Sequence, residues 1–480
     1  MTLALRREFA VLGLLVLLQA VTLIWLGDVF SAGAAAMILA GILISGIVLP
    51  AAGAHAWCGF RRLIQGFRWW HWLWGLLFFS DLTFRERDFQ NVRDNPLDGW
   101  ALYRVTLVGL VGTVLLWRAV TRRGQWLGSL FSGTVLIMAA FPLVGILSTA
   151  WSVYPAWTLY KSIELLIDIS VLAAALAAAG TAGNLKTLFD WNWLLLAGLQ
   201  ATVWMGAAIW PGEALARGVG TLGFQVAGVI PSIASNGVGH IAAILSIVAL
   251  ARMLGPGATR GRVLLYSIVF LSSLATLVFS QTRSALGAFM AAAVLVVLLS
   301  RRANVIAMAA FTALVLLTAS TFESTFLTYF RRGQDAQMLE SFSGRTDWWR
   351  FGWARFLERP LTGYGAFAGG RFASLAEMGD RFTSSLHNTY LEAMLGIGIL
   401  GPLLVLACLI TVWWRLVASF FRWRGGELER SLYLETAGVL TVITVRSVFT
   451  TDLIWHSALP WLLVLGYVEL RRRQQRVEAS

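Results

Sequence analysis

The sequence predicts an all-α fold: a polytopic transmembrane helical bundle of about 12–14 spans, with one large loop outside the cytoplasm. Three observations predict it. Of the 480 residues, 58% are hydrophobic and only 13% charged, with mean hydropathy +0.71, and no soluble domain of this length hides so much apolar surface from water. The apolar residues gather in runs long enough to cross a bilayer. Basic residues mark alternate connections between those runs.

The first run, about 9–27, follows Arg6 and Arg7. It lacks a small-residue cleavage site, so it reads as a retained span and not a signal peptide. Further runs lie at about 32–54, 63–81, 101–118, 126–149, 157–180, 190–210, 236–254, 262–281, 283–300, 303–320, 387–413, 432–450 and 453–470. The third is the weakest: Arg68 interrupts it, and "WWHWLWGLLFF" also fits a helix lying at the interface.

The basic residues orient the bundle. With the N-terminus in the cytoplasm, every cytoplasmic segment carries Lys or Arg, 22 of the 38 in all. Both termini then lie in the cytoplasm, and the setting is a bacterial inner membrane. This loop charge also accounts for the net +13, which in a soluble protein would point to nucleic acid. Only Lys161 and Lys186 are lysines, and an arginine bias suits phosphate, because guanidinium forks onto its oxygens. Cys58 and Cys408 both sit in apolar runs, so neither a disulfide nor a metal site is expected.

Two external segments stand out, Asp81–Trp100 and the long polar stretch 321–386, which lies within a single integral membrane domain, 1–480. In the latter, "TDWWRFGWARFLERP" spaces Trp348, Trp349, Gly352, Trp353, Phe356 and Leu357 on one helical stripe. Thr346 suits the start and Pro360 the stop. The stripe fits either the tops of the spans or a lipid surface. "PLTGYGAFAGG" follows as a glycine-rich turn, a candidate lid segment. Eight arginines of this stretch face seven acids, so any ligand would be held by particular side chains.

Three polar groups share one depth and one face. Arg217 precedes the span at 236–254, Arg283 opens the one at 283–300, and His387 opens the one at 387–413. Each has a bland reading: an arginine snorkelling at the interface, or a histidine bonding its neighbours. Together they form a phosphate-and-base constellation, in which cations neutralise a diphosphate and a neutral imidazole accepts a proton from an attacking hydroxyl. Asn388 is placed to orient the histidine or a backbone group, and Glu392 to hold its tautomer or pair with an arginine. Lys161, Glu164 and Asp168 read as an ion-paired strut inside the bundle, and Arg446, Asp452 and His456 as a second one at an external turn. His240 reads as a packed polar residue.

"GRTDWWRFGWARFLERPLTGYG", "LHNTYLEAMLGIGILG" and "SQTRSALGAF" resemble the signature segments of the O-antigen ligase and O-antigen polymerase superfamily. The agreement is closest over about Thr276–Pro402, with a looser match of Arg217 and the later Asn236 to an earlier arginine segment. The resemblance implies a periplasmic, metal-independent, inverting glycosyltransferase without cofactor, whose donor is a glycan on undecaprenyl diphosphate. It implies His387, with Asn388, as the catalytic pair and Arg217, Arg283 and Arg345 as diphosphate ligands, with Glu392 and Tyr364 in support. The acceptor is a growing polysaccharide or lipid A-core, in a membrane-lipid setting with no nucleic acid. Polysaccharide-assembly proteins are the expected partners. The length and the extra external loop favour a polymerase, with a ligase as the alternative. A polysaccharide-lipid flippase is the rival of another class, with cations expected at the bilayer midplane. A metal-dependent glycosyltransferase would use Asp81, Glu86 and Asp88, where Arg85 and Arg87 compete with the metal.

Overall fold

The computed structural model describes residues 53, 55–84, 97–121, 124, 126–217, 222–318, 322–331, 344–379, 385–421, 426–456 and 458–479. The runs predicted at 9–27 and 32–54 lie outside the described residues but for Gly53, as does the middle of the loop 81–100.

The all-α prediction holds. The long helices are α1 (Trp69–Ser80), α2 (Gly99–Thr121), α3 (Gly133–Ser148), α4 (Pro155–Ala179), α5 (Ala182–Ile209), α6 (Ser235–Leu254), α7 (Arg260–Phe279), α8 (Arg283–Ser300) and α9 (Ala303–Thr318). They continue with α10 (Phe322–Arg331), α11 (Arg345–Glu358), α12 (Thr389–Ile397), α13 (Leu400–Phe421), α14 (Glu427–Arg446) and α15 (Leu459–Ala479). Among the described residues, eight helices are long and apolar enough to cross a membrane: α2 to α8 and α13. Helices α14 and α15 match them in length, at 20 and 21 residues, but carry several charges. One short ribbon departs from the all-helical expectation, β1 (Leu215–Arg217) antiparallel to β2 (Phe224–Val226).

Local chemistry sets the boundaries. Helix α4 opens on Pro155, whose ring suits the first turn, and closes at Gly180, which takes the left-handed conformation at φ 60°. The Thr181 hydroxyl then accepts from the Asn184 amide at 3.3 Å and starts α5. Two predicted spans come out differently. The run 63–81 yields α1, whose 12 residues are too short to cross a bilayer alone. The run 387–413 breaks at Gly398 (φ 68°, ψ −157°), a conformation open essentially to glycine alone. A Cβ there would overlap the carbonyl of Leu361. The result is a nine-residue α12 followed by the spanning α13.

One continuous apolar core joins α1 to α8 and α12 to α15, with α6 packed on α7, α8 and α14, and α3 on α4. Charges inside it are paired, since an unpaired buried charge costs several kcal/mol. Glu164 takes Arg104 at 2.6 Å, Lys161 at 2.7 Å and the Tyr160 hydroxyl at 2.8 Å. Of the strut expected from Lys161, Glu164 and Asp168, the Lys161–Glu164 pair is present and recruits Arg104 from α2, whereas Asp168 turns to another partner. Asp168 meets His456 Nδ1 at 2.9 Å, and His456 Nε2 lies 2.8 Å from Ser80 Oγ. His456 thus turns into the bundle, which corrects its expected grouping with Arg446 and Asp452.

The chain ends of the helices define two rims. At one, Arg252 binds Glu435 (2.8 Å) and Asp190 (2.7 Å), and Glu469 gathers Arg415, Arg472 and Arg473. At the other stand the first residue of α8, the last of α14, the start of α12 and the whole of α11. The second rim carries the candidate site.

Candidate active site

Helix α11 lies over this rim as the predicted loop helix, but its buried face is narrower than the expected stripe. Gly352 and Phe356 are buried and Trp348 and Trp349 half-buried, against Leu386, Leu391 and Leu395, whereas Trp353 and Leu357 are exposed. Gly344 and not Thr346 occupies the cap position. The glycine-rich segment that follows is no lid. Residues 363–371 are buried, the amides of Tyr364 and Gly365 donate to the carbonyls of Leu395 and Gly396 at 2.8 and 2.9 Å, and Gly363 and Gly365 take positive φ to allow the approach. A π-helical turn, Gly369–Leu375, continues it.

The loop from Ser385 to Asn388 is held from all sides. Trp349 Nε1 donates to the Leu386 carbonyl at 2.9 Å. The Leu386 amide donates to Glu392, and the Asn388 side chain caps α12 by accepting from Tyr390 and Leu391, both at 3.0 Å. Thr389 donates its amide to Ser447 (3.0 Å) and its hydroxyl to Thr450 (2.7 Å), which ties α12 to the α14–α15 turn. Between these anchors His387 adopts φ 52°, a left-handed conformation that costs a non-glycine residue on the order of 1 kcal/mol. Its half-buried ring stands beside the Trp348 ring, centroids 5.9 Å apart.

Arginines converge on the same turn. Arg345, at the first turn of α11, donates to the Phe449 carbonyl at 3.1 Å. Arg446, at the last turn of α14, lies 3.5 Å from Ser284 Oγ, the residue after Arg283, and 3.5 Å from Asp452. Arg283 donates to the Phe330 carbonyl at 3.1 Å. Burial, and then the charges of Arg446 and Arg283, bring the Arg345 pKa down to about 10. Arg345 is thus crowded by two further guanidinium groups, one of them paired with Asp452, an arrangement able to take an anion.

The remaining candidates fall as follows. Arg217 is exposed at the end of β1, opposite Phe224. The Phe224 carbonyl accepts from Gln281 at 2.5 Å and the Ser280 carbonyl from Gln225 at 2.7 Å. The ribbon therefore lays Arg217 beside the turn that leads into Arg283. Asn388 serves as a helix cap, and Glu392 holds the backbone of Leu386. Tyr364 stands apart: its hydroxyl lies 2.8 Å from Glu358 and 3.0 Å from the Arg355 carbonyl, donating to one of them. That is the far end of α11, about 15 Å along the helix from Trp348. Tyr364 is a brace for the loop.

Sequence reasoning missed Arg446 as a member of the cluster, having placed it in a strut. The signal was available, since Arg446 ends an apolar run at the depth where Arg283 begins one. Asp452 was placed with it correctly, and His240, expected to be only packed, approaches Asp452 at 3.4 Å.

Residues 268–407 match the family model described as O-antigen ligase. The match runs from α7 into α13 and so contains Arg283, Arg345 and His387, and it supports the superfamily that the signature segments resemble. No curated protein matches the chain.

Proposed function

From an O-antigen ligase-type segment that carries this histidine and arginine rim, we propose that the chain is a periplasm-facing, metal-independent, inverting glycosyltransferase. Its donor is a glycan on undecaprenyl diphosphate in the bacterial inner membrane, and its product is a lengthened polysaccharide. The observation that carries the reading is the mutual crowding of Arg283, Arg345 and Arg446 beside the immobilised His387 loop.

Each group has one task. An acceptor hydroxyl attacks the anomeric carbon of the donor sugar and loses its proton to the neutral imidazole of His387. The bond from that carbon to the diphosphate oxygen breaks on the opposite face, which inverts the anomeric centre. The negative charge gathering on the leaving diphosphate is met by Arg283, Arg345 and Arg446, with Arg217 at the edge. Because fixed cations supply the neutralising charge, a divalent metal would be repelled from the same place. The strain at His387 fits a residue kept for chemistry, because asparagine or glycine would hold that turn at lower cost.

A rim placement for the cations also speaks against the flippase reading, which needs them along a path through the midplane. Transfer to lipid A-core is the second reading, favoured by the ligase description of the matched segment. The test is reconstituted turnover with a purified lipid-diphosphate glycan, in EDTA, with and without lipid A-core. Elongated glycan in EDTA supports the polymerase; product only with lipid A-core supports the ligase; no product without added metal refutes the metal-independent mechanism.

A further inference from the structure

We propose that a cavity on the bundle side of Asp452, distinct from the arginine cluster, binds a neutral sugar ring of the glycan substrate. The proposal rests on the glycosyltransferase reading and adds a subsite to it. The cavity measures about 340 Å³ and lies between α1, α5, α6 and the start of α15. That volume is at the lower end of small-ligand sites, which run from about 300 to 1,000 Å³.

Its walls carry two donors, Asn192 Nδ2 and Trp461 Nε1, that have no partner among the described residues, although the residues are 0% and 1% exposed. The amide of Asn192 is oriented unambiguously, because its Oδ1 already accepts from Trp74 Nε1 at 3.0 Å, so the NH₂ is the end left over. Each unsatisfied buried donor costs roughly 1–3 kcal/mol, which a cavity ligand with acceptor atoms would recover. Asp452, also in the lining, offers carboxylate oxygens and approaches His240 at 3.4 Å. Trp455 and Trp461 add aromatic surface.

This pattern selects the ligand. An isoprenoid chain would leave both donors unbonded. A phosphate would meet the carboxylate of Asp452. A sugar hydroxyl accepts and donates at once, so the hydroxyls of one ring suit both the amide and indole N–H groups and the Asp452 carboxylate. The C–H faces of the ring suit the tryptophans. Asp452 is also 3.5 Å from Arg446. A ring in the cavity therefore sits next to a diphosphate held by the arginines, with the carboxylate as the wall between them.

The test uses the full chain in detergent. Saturation-transfer NMR is recorded with methyl glycosides of glucose, galactose, mannose, rhamnose and N-acetylglucosamine, and farnesyl diphosphate binding is measured in parallel. The variants are Trp461→Phe, Asn192→Leu and Arg283→Ala. At least one glycoside should bind the wild type and Arg283→Ala, and bind Trp461→Phe and Asn192→Leu roughly ten-fold more weakly. Farnesyl diphosphate should bind both cavity variants normally. Trp461→Phe keeps the aromatic face and removes only the N–H, so it decides the matter should Asn192→Leu, which strands Trp74, not fold. A rise in KM for donor or for acceptor in Trp461→Phe then identifies which glycan supplies the ring. No glycoside binding to wild type, as for a cavity that holds water alone, or equal binding to all variants, overturns the sugar subsite. Equal farnesyl diphosphate binding by wild type and Arg283→Ala would instead overturn the diphosphate reading of the rim.

Discussion

At the scale of single residues, His387 and the arginines should separate by the step they serve. Asparagine tolerates the left-handed backbone and cannot act as a base near neutrality, so His387→Asn should fold as the wild type does. It should bind the lipid-diphosphate donor normally and lose about 10²- to 10⁴-fold in turnover. Arg345→Ala should bind the donor poorly, and Arg345→Lys should recover only part, because an ammonium cannot fork onto two phosphate oxygens. Donor binding and turnover measured on the same preparations decide this. Near wild-type turnover in His387→Asn would leave the histidine a structural residue of the loop. His387 and Arg283 were legible in the sequence because each is a polar group at an edge of apolar sequence, whereas Arg345 entered only through the resemblance of its segment to a known family. Arg446 pairs with Asp452 as expected, but its approach to Ser284 and Arg345 was not foreseen, because the acid six residues on offered a sufficient local explanation.

At the scale of elements, α12 and the loop before it act as one unit. Glu392 binds the Leu386 amide and fills the space a side chain at Gly370 would need, so it joins the His387 loop to the π-helical turn. Burial pushes its carboxyl up to about 7, against the Leu386 hydrogen bond that favours the ionised form. An acid whose pKa is raised on folding contributes stability that is whole below its unfolded value near 4.5 and is lost as pH rises through about 7. The thermal midpoint of the wild type should therefore fall from about pH 5 to about pH 8, and Glu392→Gln should flatten that fall. A midpoint that falls equally in both proteins would assign the pH dependence to other groups. The sequence placed Glu392 within reach of the histidine by helical spacing. It could not show that the chain turns at Gly398, which makes α12 a separate rim helix instead of the top of a span.

At the scale of the molecule, the two rims group their arginines differently. One holds them against Glu435, Asp190 and Glu469. The other gathers Arg283, Arg345 and Arg446 around a single loop, with Asp452 against Arg446. The proposed orientation puts the crowded rim in the periplasm. A cysteine at Arg350, exposed on α11, should react with a membrane-impermeant maleimide in intact spheroplasts, in a Cys58→Ser background that removes the exposed native thiol. Labelling that appears only after lysis would invert the topology and refute a periplasmic site.

What the sequence determined by itself was whatever depends on composition and period: the membrane class, the helical content, and the polar edges where His387 and Arg283 stand. Apolar runs of bilayer length have one way to satisfy their backbone, and that is legible without coordinates. The tertiary structure decided what depends on which edges meet. It brought Arg446 to Arg283 through Ser284, turned His456 inward to Asp168, folded the glycine segment under α11 as a strut, and left Asn192 and Trp461 facing a cavity. These are contacts between residues up to several hundred positions apart. No local pattern encodes them, because each is set by which helices pack side by side, and predominantly apolar faces do not specify their neighbours.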